Sequence, residues 1–346
     1  IRNTDGIVLF AKQNGPTSFK SLNTIKKALG TSKVGHTGTL DSFAQGLLVV
    51  CTGRLTRLAG NITEFDKSYQ AVLKFGQETD TLEYTGNVIH TAPLPDLENL
   101  KNAVMKHTGQ LMQQPPCFSA IHIDGKRASD LARNGEQTNL PSRPVTVFKA
   151  EFLDTKLDSN GKVEYALIDF TVSKGTYIRS LARDIAKYCG SRAHLAGLYR
   201  TKVGNFSIKD ASGFSNLKDF TIDNVISQMN TNLEKTENID SISKESQKKY
   251  LPSEDELALQ EEVRSKIIKL NKELCNQCGF ETIELISTEA EKDFENGKPL
   301  KSKNFTNNLH ELPLKSITAV FSKDDIFKGL IEKDENGKIR YKFVIN

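Results

Sequence analysis

The sequence predicts an α+β protein, a mixed sheet flanked by helices and followed by a small C-terminal β-rich domain. Strand-like alternation at Tyr69, Ala71, Leu73 and Phe75, and again at Ala166, Ile168, Phe170 and Val172, interleaves irregularly with helical spacing at Phe19, Leu22, Ile25 and Leu29 and from Ile178 onward. Near residue 216 the composition shifts, and Met229 to Gln260 is rich in Asn, Ser, Glu and Lys with few bulky apolar residues. The chain then returns to short strands at Ile317 to Phe321 and Arg340 to Ile345, with Asp334-Glu335-Asn336-Gly337 as a turn between strands.

Each element has a local cause. Thr17 or Ser18 caps the first helix and Gly30 ends it, while Lys20, Lys26 and Lys27 line its wet faces. The run Val34-Gly35-His36-Thr37-Gly38-Thr39-Leu40-Asp41 has the glycines and small hydroxyl residues of a tight irregular loop, mounted against a strand at Leu47 to Cys51. Leu97, Leu100 and Val104 predict a helix. Ile178, Leu181, Ala182, Ile185, Ala186 and Cys189 form one apolar helix face directly after Ser173-Lys174-Gly175-Thr176-Tyr177, which puts residues 177–179 at a loop-to-helix junction. Val263, Ile267, Leu270 and Leu274 predict a helix over 263–274. The expected division is 1–225, a charged helical insertion or linker at 226–280, and the β-rich domain at 281–346.

A chain of 346 residues that is 37% hydrophobic and 26% charged is not a long disordered polymer. Its longest unbroken apolar run, Leu47 to Cys51, is far below the roughly 18–20 residues of a membrane span, and no apolar segment preceded by basic residues opens it. A chain neither membrane-embedded nor exported is therefore expected. The five cysteines at 51, 117, 189, 275 and 278 are too few and scattered for a disulfide framework, which points to a reducing cytoplasm. Cys275 and Cys278 have CxxC spacing without the second pair or nearby histidines of a zinc site, so no metal is expected. Residues 1–215 hold 27 Lys and Arg against 19 Asp and Glu, a net +8, whereas residues 216–346 hold 20 against 24, a net −4. The positive field of the first part suits a polyanion such as RNA.

A lone aspartate in a Gly/Thr loop is ordinarily a turn former. Asp41 shares its loop with His36, however, and downstream lie Tyr69 after Asp66-Lys67-Ser68 and Tyr177 two residues before Arg179. A carboxylate beside an arginine stays ionised at neutral pH and serves as nucleophile or base, and aromatic rings sandwich a flat base removed from a nucleic-acid stack.

These residues resemble the bacterial TruB-type tRNA pseudouridine-55 synthases. The resemblance runs in order through Gly6-Ile7-Val8-Leu9-Phe10, Lys12 to Ser18, Gly35-His36-Thr37-Gly38-Thr39-Leu40-Asp41, Ala44-Gln45-Gly46-Leu47-Leu48 and Lys67-Ser68-Tyr69. It continues through Gly76, Thr79-Asp80-Thr81, Pro115-Pro116, Ser119-Ala120, Ala132-Arg133, Gly135, Gly175-Thr176-Tyr177-Ile178-Arg179, Leu198 and Arg200-Thr201. It implies isomerisation of one T-loop uridine of tRNA to pseudouridine, without cofactor or metal, by a monomer that binds the T-arm. By the same resemblance, Asp41 attacks or deprotonates the substrate and Arg179 pairs with it. Tyr69 stacks on the flipped base, Tyr177 and Leu198 line the uracil pocket, His36 fills the vacated space or steadies the RNA, and Lys12 and Asp80 lie around the site. Lys126, Arg127, Arg133, Lys174, Arg200 and Lys202 form a plausible phosphate track.

The sequence also departs from the family pattern. KPxG reads Lys12-Gln13-Asn14-Gly15, the proline after LD is Ser42, the aspartate after TDT is Glu83, and PxYSA reads Pro116-Cys117-Phe118-Ser119-Ala120. The lysine expected shortly after is His122, an expected tyrosine is Ser129, and Tyr199 stands where arginine is common. Two other readings accommodate these changes: a tRNA-binding or tRNA-folding protein without catalysis, and the RNA-guided relative of the family. Residues from about Phe280 to Gly329 faintly resemble a PUA-like RNA-binding domain, and its acidic balance would leave any grip on tRNA to shape and a few residues.

Overall fold

In the computed structural model the described residues are 4–119, 122–123, 126–127, 140–237 and 252–345. Arg133 and Ser129 lie outside them, and the side chains of Lys126 and Arg127 are likewise not described. The chain runs through β1 (Gly6–Lys12), α1 (Ser18–Leu29), β2 (Val34–His36), β3 (Gln45–Thr52), β4 (Lys67–Phe75), β5 (Gln77–Thr79) and β6 (Val88–Thr91). It continues through α2 (Leu97–Lys106), β7 (Gly109–Gln113), β8 (Arg143–Leu157), β9 (Val163–Val172), α3 (Ile178–Tyr188), β10 (Ala193–Val203) and α4 (Ile222–Glu237). The C-terminal part comprises α5 (Glu254–Ser265), α6 (Lys272–Gln277), β11 (Glu281–Glu284), α7 (Thr288–Glu295), β12 (Ser316–Phe321), β13 (Phe327–Lys333) and β14 (Ile339–Val344).

The main sheet has the order β1-β3-β10-β4-β9-β8-β7, with β2 paired to β3. Only the short β3–β10 contact, Tyr199 against Gln45 and Arg200 against Gly46, is parallel along that path. Strands β1 and β3 are buried on both faces, which explains their unbroken apolar runs. Ile7, Leu9, Leu47, Val49 and Cys51 point into a core shared with the C-terminal sheet, while Val8, Phe10, Leu48 and Val50 meet Leu22, Ile25 and Ala28 of α1 and Val263 of α5. A third core packs β4, β9 and β10 against α2 and α3 and contains Leu40, Tyr69 and Leu198.

Thr17 caps α1 by accepting from the Lys20 amide, and Gly30 ends it in the left-handed conformation. The helix expected over 263–274 is instead two helices. Ile7 and Ile268 exchange backbone hydrogen bonds of 2.8 Å each, so the open edge of β1 claims this stretch as extended chain between α5 and α6. The apolar spacing persists because Val263 enters the core on the α1 side of the sheet, whereas Leu270 and Leu274 enter the core on its other face. Within 226–280, α5 also binds α1 through Lys27–Glu256 at 2.9 Å and Arg264 to the Ala28 carbonyl at 3.1 Å. The C-terminal sheet, β11-β12-β13-β14, sends Ala319, Phe321, Phe327, Leu330 and Phe343 into the core it shares with β1 and β3.

Cys51 and Cys275 are fully buried in that shared core, and burial pushes both thiols up to about 12. Among the described residues no group of three or more His, Cys, Asp or Glu is placed to hold a metal ion, and no helix is long and apolar enough to cross a membrane.

Candidate active site

Two segments far apart in sequence bring Asp41 and Arg179 together. The first is the loop after β2. Thr37 donates its amide and hydroxyl to the Val49 carbonyl, at 2.9 and 3.1 Å, and Ser18 and Leu40 clamp each other through Ser18 Oγ at 2.8 and 2.9 Å. Arg200, only 2% exposed, completes the bracing by donating to the carbonyls of Gly38 at 3.1 Å, Thr39 at 3.3 Å and Leu47 at 2.7 Å. Its expected place on a phosphate track is therefore corrected: the guanidinium is spent inside the protein on satisfying loop carbonyls. Gly46 permits this approach, since at its φ of +120° an added Cβ would lie 2.4 Å from the Arg200 carbonyl. Gly46→Ala is expected to destabilise the fold by at least about 2 kcal/mol, read as a fall in Tm, and an unchanged Tm would show that the two strands can part freely.

The second segment is the junction into α3. Gln113 pins Tyr177 through its backbone, accepting from the Tyr177 amide at 2.8 Å and donating to its carbonyl at 3.1 Å. Arg179, in the first turn of α3, reaches back to Asp41: Nε lies 3.1 Å from Oδ2 and Nη2 lies 3.4 Å from Oδ1. The same guanidinium meets Glu83 Oε1 at 3.1 Å and donates to the carbonyls of Thr81 and Phe118, each at 3.0 Å. Its side chain is 6% exposed against 32% for Asp41, so the arginine is the buried anchor and the aspartate keeps access to solvent. A planar fork with this many fixed acceptors holds the carboxylate at a fixed angle.

Glu83 is the residue the motif reading passed over. It follows Leu82, whose φ of +61° is strained for a non-glycine residue and costs about 1–2 kcal/mol. The strain is held by hydrogen bonds from the Leu195 amide to the Leu82 carbonyl and from the Tyr84 amide to the Leu195 carbonyl, both 3.0 Å. Burial and then the Asp41 charge push the Glu83 carboxyl up to about 7, against the opposing pull of Arg179. A carboxyl whose folded value lies above its ordinary 4.5 contributes stability that is complete below that value and is lost as pH rises through about 7. The Tm of wild type relative to Glu83→Gln should therefore fall between about pH 5 and pH 8. A difference in Tm that stays flat over this range would contradict the placement.

The other expected residues divide. Lys12 is fully buried and donates to the carbonyls of Gln13 at 3.0 Å, Ser42 at 3.3 Å and Ala44 at 2.6 Å. Burial brings its ammonium down to about 8, with Asp41 opposing and Arg200 adding to the fall. It thus secures the far side of the Asp41 turn. His36 is half-buried, its Nδ1 has no hydrogen-bond partner among the described residues, and burial with the nearby Arg200 lowers its pKa, which favours a neutral ring. Tyr69, on β4, pairs in register with Phe170 and Arg200 and shares a core with Leu40 and Leu198. Burial pushes the Tyr177 phenol up and keeps it protonated. Asp80 is not brought to Asp41 or Arg179. Its carboxylate accepts from the Asn87 amide at 2.9 Å and side chain at 3.2 Å, closing the turn that presents Thr81 and Glu83. Lys174 is exposed and bound to Glu64, and Lys202 is exposed on β10.

The solved structure titled "Crystal Structure of a Cbf5-Nop10-Gar1 Complex" matches with a TM-score of 0.59 at 20% identity, covering 99% of this chain and 85% of that one, a likeness of fold. The model of the TruB family pseudouridylate synthase N-terminal domain matches residues 26–178. Proteins named tRNA pseudouridine synthase B are 48% identical over 233 residues in Treponema denticola, 42% over 214 in Borreliella burgdorferi and 41% over 221 in Bordetella avium. These alignments cover 63%, 62% and 63% of this chain and 65%, 74% and 88% of the respective relatives. The chain belongs to the TruB family of pseudouridylate synthases.

Proposed function

We propose that the protein isomerises the uridine at position 55 in the T-loop of tRNA to pseudouridine, with Asp41 as its catalytic residue. The observation that carries this reading is the Asp41 carboxylate, the more exposed of the two on Arg179, held by the arginine's fork. The reaction breaks the bond from the ribose C1′ to N1 and forms one from C1′ to C5. The C5 proton leaves and N1 gains one, so no electrons are exchanged and neither cofactor nor metal is called for. The Asp41 carboxylate serves for attack or for proton abstraction.

In this reading the uracil leaves the T-loop stack and lies between Tyr69 and the wall formed by Tyr177 and Leu198. Apolar and aromatic surfaces recognise a flat base well and grip it weakly enough for it to turn. A neutral His36 occupies the space beside it. The protein works as a cytoplasmic monomer, with the T-arm along the basic N-terminal part and the C-terminal sheet as a second RNA contact. Carbodiimide modification followed by primer extension on incubated tRNA transcripts tests this: a stop at position 55 is expected, and stops elsewhere or none would refute the assignment.

A further inference from the structure

We propose that Asn232 is a positioning residue for this reaction, tying the Asp41 loop and the Glu83 turn to α4, a helix beyond the residues matched by the family model. The inference rests on the function proposed above. The Asn232 side-chain amide donates to Asn14 Oδ1 at 3.0 Å and to the Tyr84 hydroxyl at 2.9 Å. Asn14 in turn donates its own amide to the Phe43 carbonyl, inside the turn closed by the hydrogen bond from the Ala44 amide to the Asp41 carbonyl at 3.1 Å. Tyr84 directly follows Glu83, the second carboxylate on Arg179. The rings of Phe43 and Tyr84 meet edge to face at 6.2 Å, so the two sides of the site touch where Asn232 binds both. One amide thereby spans both segments that hold the guanidinium's acidic partners.

The helix has its own footing. Ile222, Val225 and Met229 pack with Val72, Tyr165, Leu167 and Ala196 on the sheet, and the Tyr84 ring packs against the same cluster. A link anchored in this way fixes the separation of two loops, and a displacement of about 1 Å at a reacting group costs on the order of 100-fold in rate. Asn14 follows Gln13, which stands in place of the KPxG proline, and Tyr84 follows Glu83, which stands in place of the aspartate after TDT, so the bridge joins neighbours of two altered positions.

The test compares wild type, Asn232→Ala, Tyr84→Phe, the double variant and Ile222→Val in single-turnover isomerisation, tRNA affinity and Tm. Asn232→Ala should slow isomerisation by about ten-fold or more with tRNA affinity within about two-fold. The double variant should be little slower than Asn232→Ala, because both substitutions break the same link. Ile222→Val trims the helix's apolar anchor and should lower Tm while keeping the wild-type rate. An unchanged rate in Asn232→Ala, or an equal rate loss in Ile222→Val, would overturn the inference while leaving the proposed function in place. A wild type inactive on tRNA would overturn both.

Discussion

Asp41→Asn is expected to abolish isomerisation while tRNA affinity stays within about two-fold of wild type. The amide matches the carboxylate in shape but offers neither charge nor nucleophilicity, and at 1.36 kcal/mol per tenfold a loss of at least about three orders of magnitude corresponds to roughly 4 kcal/mol of barrier. Affinity is spared because contacts with the RNA backbone are spread over many groups. The fold is spared for a different reason: Asp41 is the most exposed of the three charged groups, and Arg179 keeps Glu83 and two carbonyls as partners. Single-turnover rates and filter-binding affinities measured together check this, and a variant that turns over at near the wild-type rate would remove Asp41 from the chemistry.

Arg179→Lys carries the next largest effect, and it should fall on both rate and stability. The guanidinium satisfies two carboxylates and two carbonyls in fixed directions. A lysine ammonium keeps the charge but has three donors on a flexible stem, so it reaches one carboxylate and abandons the other. A rate loss of about 100-fold is expected, with a lower Tm. Arg179→Met should be worse: removing one partner of a buried ion pair costs about 3–5 kcal/mol, and here Glu83 would remain 15% exposed beside a second carboxylate. Lowering the pH should return part of the lost Tm of Arg179→Met, since protonating Glu83 relieves that repulsion. Equal Tm values for wild type and Arg179→Met would mean that the arginine is no structural anchor.

What was legible in the sequence was whatever depends on near neighbours. The Thr17 cap, the Gly30 stop, the paired strands and the junction at Tyr177 follow from local propensity and period, and the structure contains each of them. Asp41 and Arg179 could be paired only through the family resemblance, since 138 residues separate them. Glu83 registered as a motif departure and not as a site residue, because its role arises from the left-handed Leu82 turn and from the reach of Arg179, neither of which leaves a spacing signal. Arg200 looked like a surface cation for a related reason. Its burial follows from the close approach of β3 and β10, which only the assembled sheet reveals. The split of 263–274 reflects competition: helical spacing proposed one element, and the unpaired edge of β1 took its middle.

The most direct measurement is the tritium released to water from tRNA labelled at C5 of its uridines, counted per tRNA at completion with purified wild-type protein. Forming the carbon–carbon glycosidic bond expels the C5 hydrogen of the uridine that is isomerised and of no other. Release that levels off at one equivalent per tRNA is the predicted result. Salt-sensitive tRNA binding without release would contradict the account and leave a protein that holds tRNA but does not rearrange it.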